Sequence, residues 1–217
     1  MNLTLILIPT DFEADFLRPA MRSILARDDV EAKICGFGPI ASGIRTAQFV
    51  SELRPTNCVL VGIAGAYLPS LAKGSAHIFR KIACYGIGAG SGSQFASAEK
   101  MGWKQWSAPI GESHIGDSLT LKSSGPASSD LQLLTVCASS LCERDIEHRL
   151  GLFPNAAAED MEGFSVALAC LSSNVPITIV RGISNKAGDR DQSNWDVESA
   201  LLAAAKLAQS AIELHIS

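Results

Sequence analysis

An α/β three-layer sandwich, with helices covering both faces of a mostly parallel central sheet, is the fold class this sequence predicts. Two observations carry it. Short apolar runs alternate with helical patterns from one end of the chain to the other. Several of those runs are apolar throughout rather than alternating, as strands buried on both faces must be. Composition agrees: with 47% hydrophobic and 18% charged residues over 217, the chain can bury a substantial core and is not disordered. It reads as one domain over 1–217, with no internal repeat and no interdomain linker.

In chain order, "LTLILIP" (3–9) is the first strand, and a helical stretch from Asp11 follows, with Pro19 placed to kink it. "EAKICGFG" (31–38) is strand-like and "SGIRTAQFVSEL" (42–53) has helical spacing. "NCVLVGIAG" (57–65) is a continuous apolar strand ending in glycine, and "AHIFRKIACYG" (76–86) is a strand with alternation. Residues 88 to 130, rich in Gly, Ser and Pro, read as loops. "LQLLTVCAS" (131–139) is a strand, "CERDIEHRL" (142–150) a short helix and "NAAAEDME" (155–162) another strand. "GFSVALACLSS" (163–173) is helical, "PITIVRGIS" (176–184) is a strand, and a helix from about Trp195 to Leu214 closes the pattern.

Composition and motifs exclude several functions. The net charge of −4 comes without a basic stripe, so nucleic acid is not an expected partner. No segment reaches the ~18 apolar residues of a membrane span, and the N-terminal apolar run, which lacks a basic flank, reads as a strand rather than a signal peptide. The six cysteines form no CxxC pair and lie mostly in apolar segments, as packed reduced thiols of a cytoplasmic protein do. The four histidines have no metal-ligand spacing, so no metal is expected. "GFGPIASG" (36–43) and "GIGAGSG" (86–92) fit neither a dinucleotide fingerprint nor a phosphate loop, and no GxSxG elbow marks a serine hydrolase.

In α/β sheets, ligands bind beyond the carboxyl ends of the strands. Those ends offer Glu13, the turn Gly62-Ile63-Ala64-Gly65, the run Asp160-Met161-Glu162, and Ser184-Asn185. Each has a plain structural reading as a helix-terminus charge or a turn residue. Together they set carboxylates, an amide and a glycine-lined backbone along one edge of the sheet.

These segments resemble the nucleoside phosphorylase and nucleosidase superfamily over nearly the whole chain. "ILIPTDFEADFL", "GFGPIASGIRTA", "VGIAGAYLPSLAKGS", "AAAEDMEGFSVALAC" and "VPITIVRGISNKAG" occur in that family's order. Within it, "YGIGAGSGSQFASAEKMGW" and "ISNKAGDRDQSNWD" are similar to the futalosine hydrolase branch of menaquinone biosynthesis. Methylthioadenosine/S-adenosylhomocysteine nucleosidases are similar over the same motifs but carry an aspartate in the place of Asn185. Ile87 and "KGSAH" (73–77) depart from the branch's pattern, which has an acidic residue and a Gly-Asp pair there.

The resemblance implies a mixed, mostly parallel sheet, cofactor-free hydrolysis of a small-molecule nucleoside, and a homo-oligomer, dimer or larger. It implies Glu13 as the base that activates water, Met161 and Glu162 as the ribose clamp, Ala64 and Gly65 as backbone lining the substrate, and Asn185 as the residue that receives the base. An amide both accepts and donates, so Asn185 could accept from N7–H and donate to O6 of a hypoxanthine leaving group. Ile63 offers no hydroxyl for phosphate, which favours hydrolysis over phosphorolysis. A methylthioadenosine-type nucleosidase, a purine nucleoside phosphorylase and a non-catalytic nucleoside binder are the alternatives. The last has no need of the water-activating carboxylate at Glu13.

Overall fold

Thr4–Ile8 is buried along its whole length, as only a central strand can be, and forms β1. In the computed structural model, which describes residues 2–106, 114–121 and 131–216, it is followed by α1 (Asp11–Ala20), α2 (Arg22–Leu25), β2 (Val30–Ile34), α3 (Gly38–Leu53) and β3 (Asn57–Ala66). Then come β4 (Ala76–Phe79), β5 (Lys81–Tyr85), β6 (Gly88–Ala89), β7 (Ala96–Ser97), β8 (Ser118–Thr120) and β9 (Gln132–Val136). α4 (Glu143–Leu152), β10 (Ala156–Asp160), α5 (Gly163–Ser172), β11 (Ile177–Lys186) and α6 (Val197–Ile216) complete the order. Of the loop-like stretch 88–130, residues 107–113 and 122–130 lie outside the described residues.

The main sheet runs β2-β1-β3-β10-β9-β5-β8, with β11 on the other side of β3 and β4 beyond it. β1 pairs parallel with β2 and β3, β11 with β3, and β9 with both β10 and β5. The antiparallel pairs are β10 with β3, β11 with β4, and β5 with β8, so the sheet is mixed and mostly parallel. α3 and α5 pack together over one face, around Leu5, Leu60, Ile179 and Phe164. α1 and α6 cover the other, around Ile6, Val59, Val180 and Leu201. The fold class is the one the sequence predicts.

The stretch 88–130, read as loops, carries β6, β7 and β8, the last in the main sheet, and the strand read over 31–38 ends at Ile34. Three further boundaries differ for a local reason. The stretch 76–86 is two strands divided at Arg80, because β4 follows β11 while β5 turns away to join β9. α3 begins at Gly38 rather than Ser42, since Pro39 in its first turn has no N–H to lose and is preset for a helix. β11 extends through Asn185 and Lys186, which stay in register with Gly65 and Ala66 of β3 across a shift after Ile183. Pairing with β3 thus overrides the turn-like composition of Ser184-Asn185-Lys186. Pro19 occupies the last turn of α1, and the helix breaks at Met21.

Cys35, Cys58, Cys84 and Cys170 are buried free thiols, while Cys137 and Cys142 are exposed rather than packed. Among the described residues, no helix is long and apolar enough to cross a membrane.

Candidate active site

A cleft of about 360 Å³ opens where β1, β3, β10 and β11 end. Glu13, Ala64, Gly65, Met161, Glu162 and Asn185 all line it, so the residues chosen from separate strand ends share one site. A shallower depression at the opposite end of β3 and β11, lined by Arg54, Thr56, Asn174 and Pro176, has no carboxylate in its wall.

Glu13 enters the site from the first turn of α1. The Thr10 hydroxyl accepts the Glu13 N–H, which is half of a capping box. The carboxylate does not close the box by turning back to the backbone of its own helix. Oε2 accepts from Thr10 Oγ1 at 2.7 Å, and Oε1 accepts the Ile63 N–H at 3.1 Å across the cleft floor. The capping reading is therefore half true: the turn is built by Thr10, and the acid is aimed inward. Burial raises the Glu13 carboxyl above its usual range, against the pull of the Arg181 guanidinium. A proton acceptor that is held in place and made more basic is what water activation needs.

Arg181, beside the cleft carboxylates, is a residue to which the sequence reading gave no role. It is fully buried in the middle of β11. Its Nε and Nη2 donate to Asp160 Oδ2 at 3.0 and 2.6 Å, and Nη2 also reaches Glu162 Oε2 at 3.2 Å. The signal was present: an arginine inside "ITIVRGIS" must have partners, because an unpaired buried charge is not tolerated. Its remaining nitrogen, Nη1, is buried without a hydrogen-bond partner among the described residues. Gly62 stands opposite Arg181 in the register. A Cβ there would lie 2.2 Å from Nη1 and 2.6 Å from Glu13 Oε1, so the glycine makes room for the guanidinium and the acid to meet.

Asp160 and Glu162, two residues apart, take different positions. Asp160 Oδ1 accepts from Thr135 Oγ1 at 2.7 Å, and Oδ2 accepts the Gly163 N–H at 2.8 Å, capping α5 as it anchors Arg181. Glu162 points into the cleft, where Oε1 accepts the Gly38 N–H at 2.9 Å from the first turn of α3. The glycine-rich crossover "GFGPIASG" thus brings a helix N-terminus onto a site carboxylate rather than onto a nucleotide phosphate. Burial pushes the Glu162 carboxyl up to about 7, with Arg181 opposing and Asp160 reinforcing the shift. The ionised form accepts hydroxyl hydrogens and supports positive charge, so kcat/KM should climb as pH rises through about 7. A profile flat between about pH 5 and 8 would place both site carboxyls in the ordinary range.

Asn185 is buried at the far side of the cleft. Its Nδ2 donates to the carbonyls of Lys186 at 2.8 Å and Asp189 at 3.4 Å, and its Oδ1 accepts from Ser184 Oγ at 2.8 Å. Arg190 and Trp195, on the loop behind it, line the same cleft. Arg45 lies elsewhere: it donates to the Ile34 carbonyl and sits over the Phe49 ring. No group of His, Cys, Asp or Glu among the described residues could hold a metal ion.

The family profile of the Phosphorylase superfamily matches residues 21–216. A futalosine hydrolase of Streptomyces coelicolor is 25% identical over 193 residues, covering 86% of this chain and 80% of that protein. A 5′-methylthioadenosine/S-adenosylhomocysteine nucleosidase of Geobacillus thermodenitrificans is 25% identical over 190 residues, covering 82% and 76%. Among solved structures, the Neisseria meningitidis nucleosidase of the latter kind, in complex with methylthio-immucillin-A, superposes with a TM-score of 0.78 at 15% identity, over 98% of this chain and 99% of that one. The Helicobacter pylori futalosine hydrolase does so with a TM-score of 0.75 at 14% identity, over 98% of each chain.

Proposed function

The chain belongs to the Phosphorylase superfamily, as a nucleosidase of the kind that acts on methylthioadenosine/S-adenosylhomocysteine or futalosine, and from that premise we propose that it hydrolyses futalosine to hypoxanthine and the dehypoxanthinyl sugar product. The observation that carries the hydrolytic part is Glu13 in the cleft wall, its carboxyl made more basic by burial and its two oxygens fixed by Thr10 and Ile63. A water in the cleft can give up a proton to that carboxylate.

In this reading water adds to the anomeric carbon as the bond to N9 breaks. The bonding pair leaves with the purine, one water proton passes to Glu13, and the base takes up a proton at N7 from solvent. The sugar gains positive charge on the way, and Glu162, accepting the ribose hydroxyls, stabilises it electrostatically. Met161 packs beside the sugar, and the backbone at Ala64 and Gly65 lines the substrate. Asn185 receives the departing base, with the second lone pair of Oδ1 facing N7–H. Asp160 and Thr135 act through Arg181 by fixing its direction.

Asn185 leaves the base end of the cleft without the negative charge that an aspartate at 185 would bring, which admits the 6-oxo base of futalosine. A carboxylate there would repel the 6-oxo group of hypoxanthine. The cleft rim carries exposed Phe12 and Phe37, which supports closure by a second copy of the chain in a homo-oligomer. Incubation with each nucleoside, followed by chromatography of the free base, tests the substrate. Hypoxanthine release from futalosine at least ~10-fold faster than adenine release from methylthioadenosine is expected. The reverse order would make the protein a methylthioadenosine-type nucleosidase.

A further inference from the structure

The amide of Asn185 is committed on its donor side. Both of its N–H groups are directed at loop carbonyls, those of Lys186 and Asp189. Its oxygen can serve N7–H, but a 6-oxo group needs a donor from another residue.

The loop that these bonds hold carries Arg190. Trp195 Nε1 donates to the same Asp189 carbonyl at 3.0 Å, so Asn185 and Trp195 tie down the backbone immediately before the arginine. The Arg190 guanidinium lies 5.4 Å above the Trp195 ring, and its Nη1 donates to Ser139 Oγ at 2.9 Å. Arg190, Trp195 and Ser139 line the cleft together with Asn185. The neighbouring acids are occupied within the loop. Asp189 accepts from the Asp191 N–H and the Asn194 amide, and Asp191 accepts from Ser193. No carboxylate among the described residues forms an ion pair with Arg190. A guanidinium presents five donors in a fixed plane, and Ser139 engages only one nitrogen. The cation–π contact with Trp195 keeps the guanidinium at the cleft wall.

We propose that Arg190 reads the leaving base, its unengaged N–H edge donating to the exocyclic oxygen at position 6 of a 6-oxopurine. The proposal rests on the nucleoside-hydrolase reading and adds the residue that selects the base. It also supplies what Asn185 lacks. As the bond to the sugar breaks, the base gains negative charge, and a guanidinium at its oxygen stabilises that charge without a proton transfer. A 6-aminopurine would set its amino donor against the guanidinium donors and lose the contact.

The test reads binding apart from turnover. Calorimetry of the full chain with hypoxanthine and with adenine should show hypoxanthine at least ~10-fold tighter. Arg190→Ala should weaken hypoxanthine by at least ~10-fold and adenine by no more than about 3-fold, while Arg190→Lys, which keeps the charge but loses the planar fork, recovers part of the difference. Arg190 is exposed, and an unchanged melting temperature checks that both variants fold. Equal losses on both bases, no loss on either, or a parent protein that binds neither base each overturn the proposal. So does a defect confined to kcat/KM for futalosine with hypoxanthine binding unchanged, which would mean that Arg190 meets the substrate's carboxylate. A parent that binds hypoxanthine through Arg190 yet hydrolyses neither nucleoside would leave this inference standing and remove the hydrolase reading.

Discussion

Glu13→Gln should fold and bind nucleoside as the parent does, yet turn over at least ~10²-fold more slowly. Glutamine is nearly isosteric, so its side-chain oxygen can still accept from Ile63 N–H or from Thr10 Oγ1, and the Thr10 cap on the Glu13 N–H is untouched. What disappears is the basic oxygen at the cleft wall, and with it the acceptor for the water proton. KM should therefore move little while kcat collapses, the pattern of an interaction made chiefly in the transition state. If kcat stays within about threefold of the parent, Glu13 is only the acidic residue of a helix first turn, and the water-activation mechanism fails.

The fold was legible because its strands are buried on both faces. "LTLILIP" and "NCVLVGIAG" allow little else, and they became the adjacent strands β1 and β3. What local pattern could not show was partner choice. Arg80 gives no sign that the strands on either side of it join different neighbours. Asn185 and Lys186 have turn composition but are held in β11 by β3. Such boundaries depend on pairing with residues about 50 to 120 positions away, which short-range periodicity does not contain.

The candidate cleft was legible to a similar degree. Glu13, Met161, Glu162 and Asn185 stand at strand ends, where the α/β arrangement directs attention, and they line one cleft. Arg181 was passed over because it lies inside a strand, although its charge in an apolar run required carboxylate partners. The direction of the Asn185 amide was beyond reach from sequence. It is set by the Lys186 and Asp189 carbonyls, whose positions follow from the loop rather than from residue type. Gly62 is the opposite case: a small residue that looked like turn chemistry turns out to be the gap through which guanidinium and carboxylate approach.

The second large effect concerns the nucleophile. With water as the attacking group, the reaction needs no phosphate and leaves the sugar with a hydroxyl at its anomeric carbon. Ile63 supports this, since its side chain can offer phosphate no hydrogen bond and its N–H is already given to Glu13. The most direct measurement is therefore a single-turnover reaction with futalosine in phosphate-free buffer made with ¹⁸O-water, followed by rapid mass analysis of the sugar. The account predicts full-rate release of hypoxanthine and one labelled oxygen in the freshly formed sugar product. Base release that requires added phosphate and yields an unlabelled sugar 1-phosphate would contradict it.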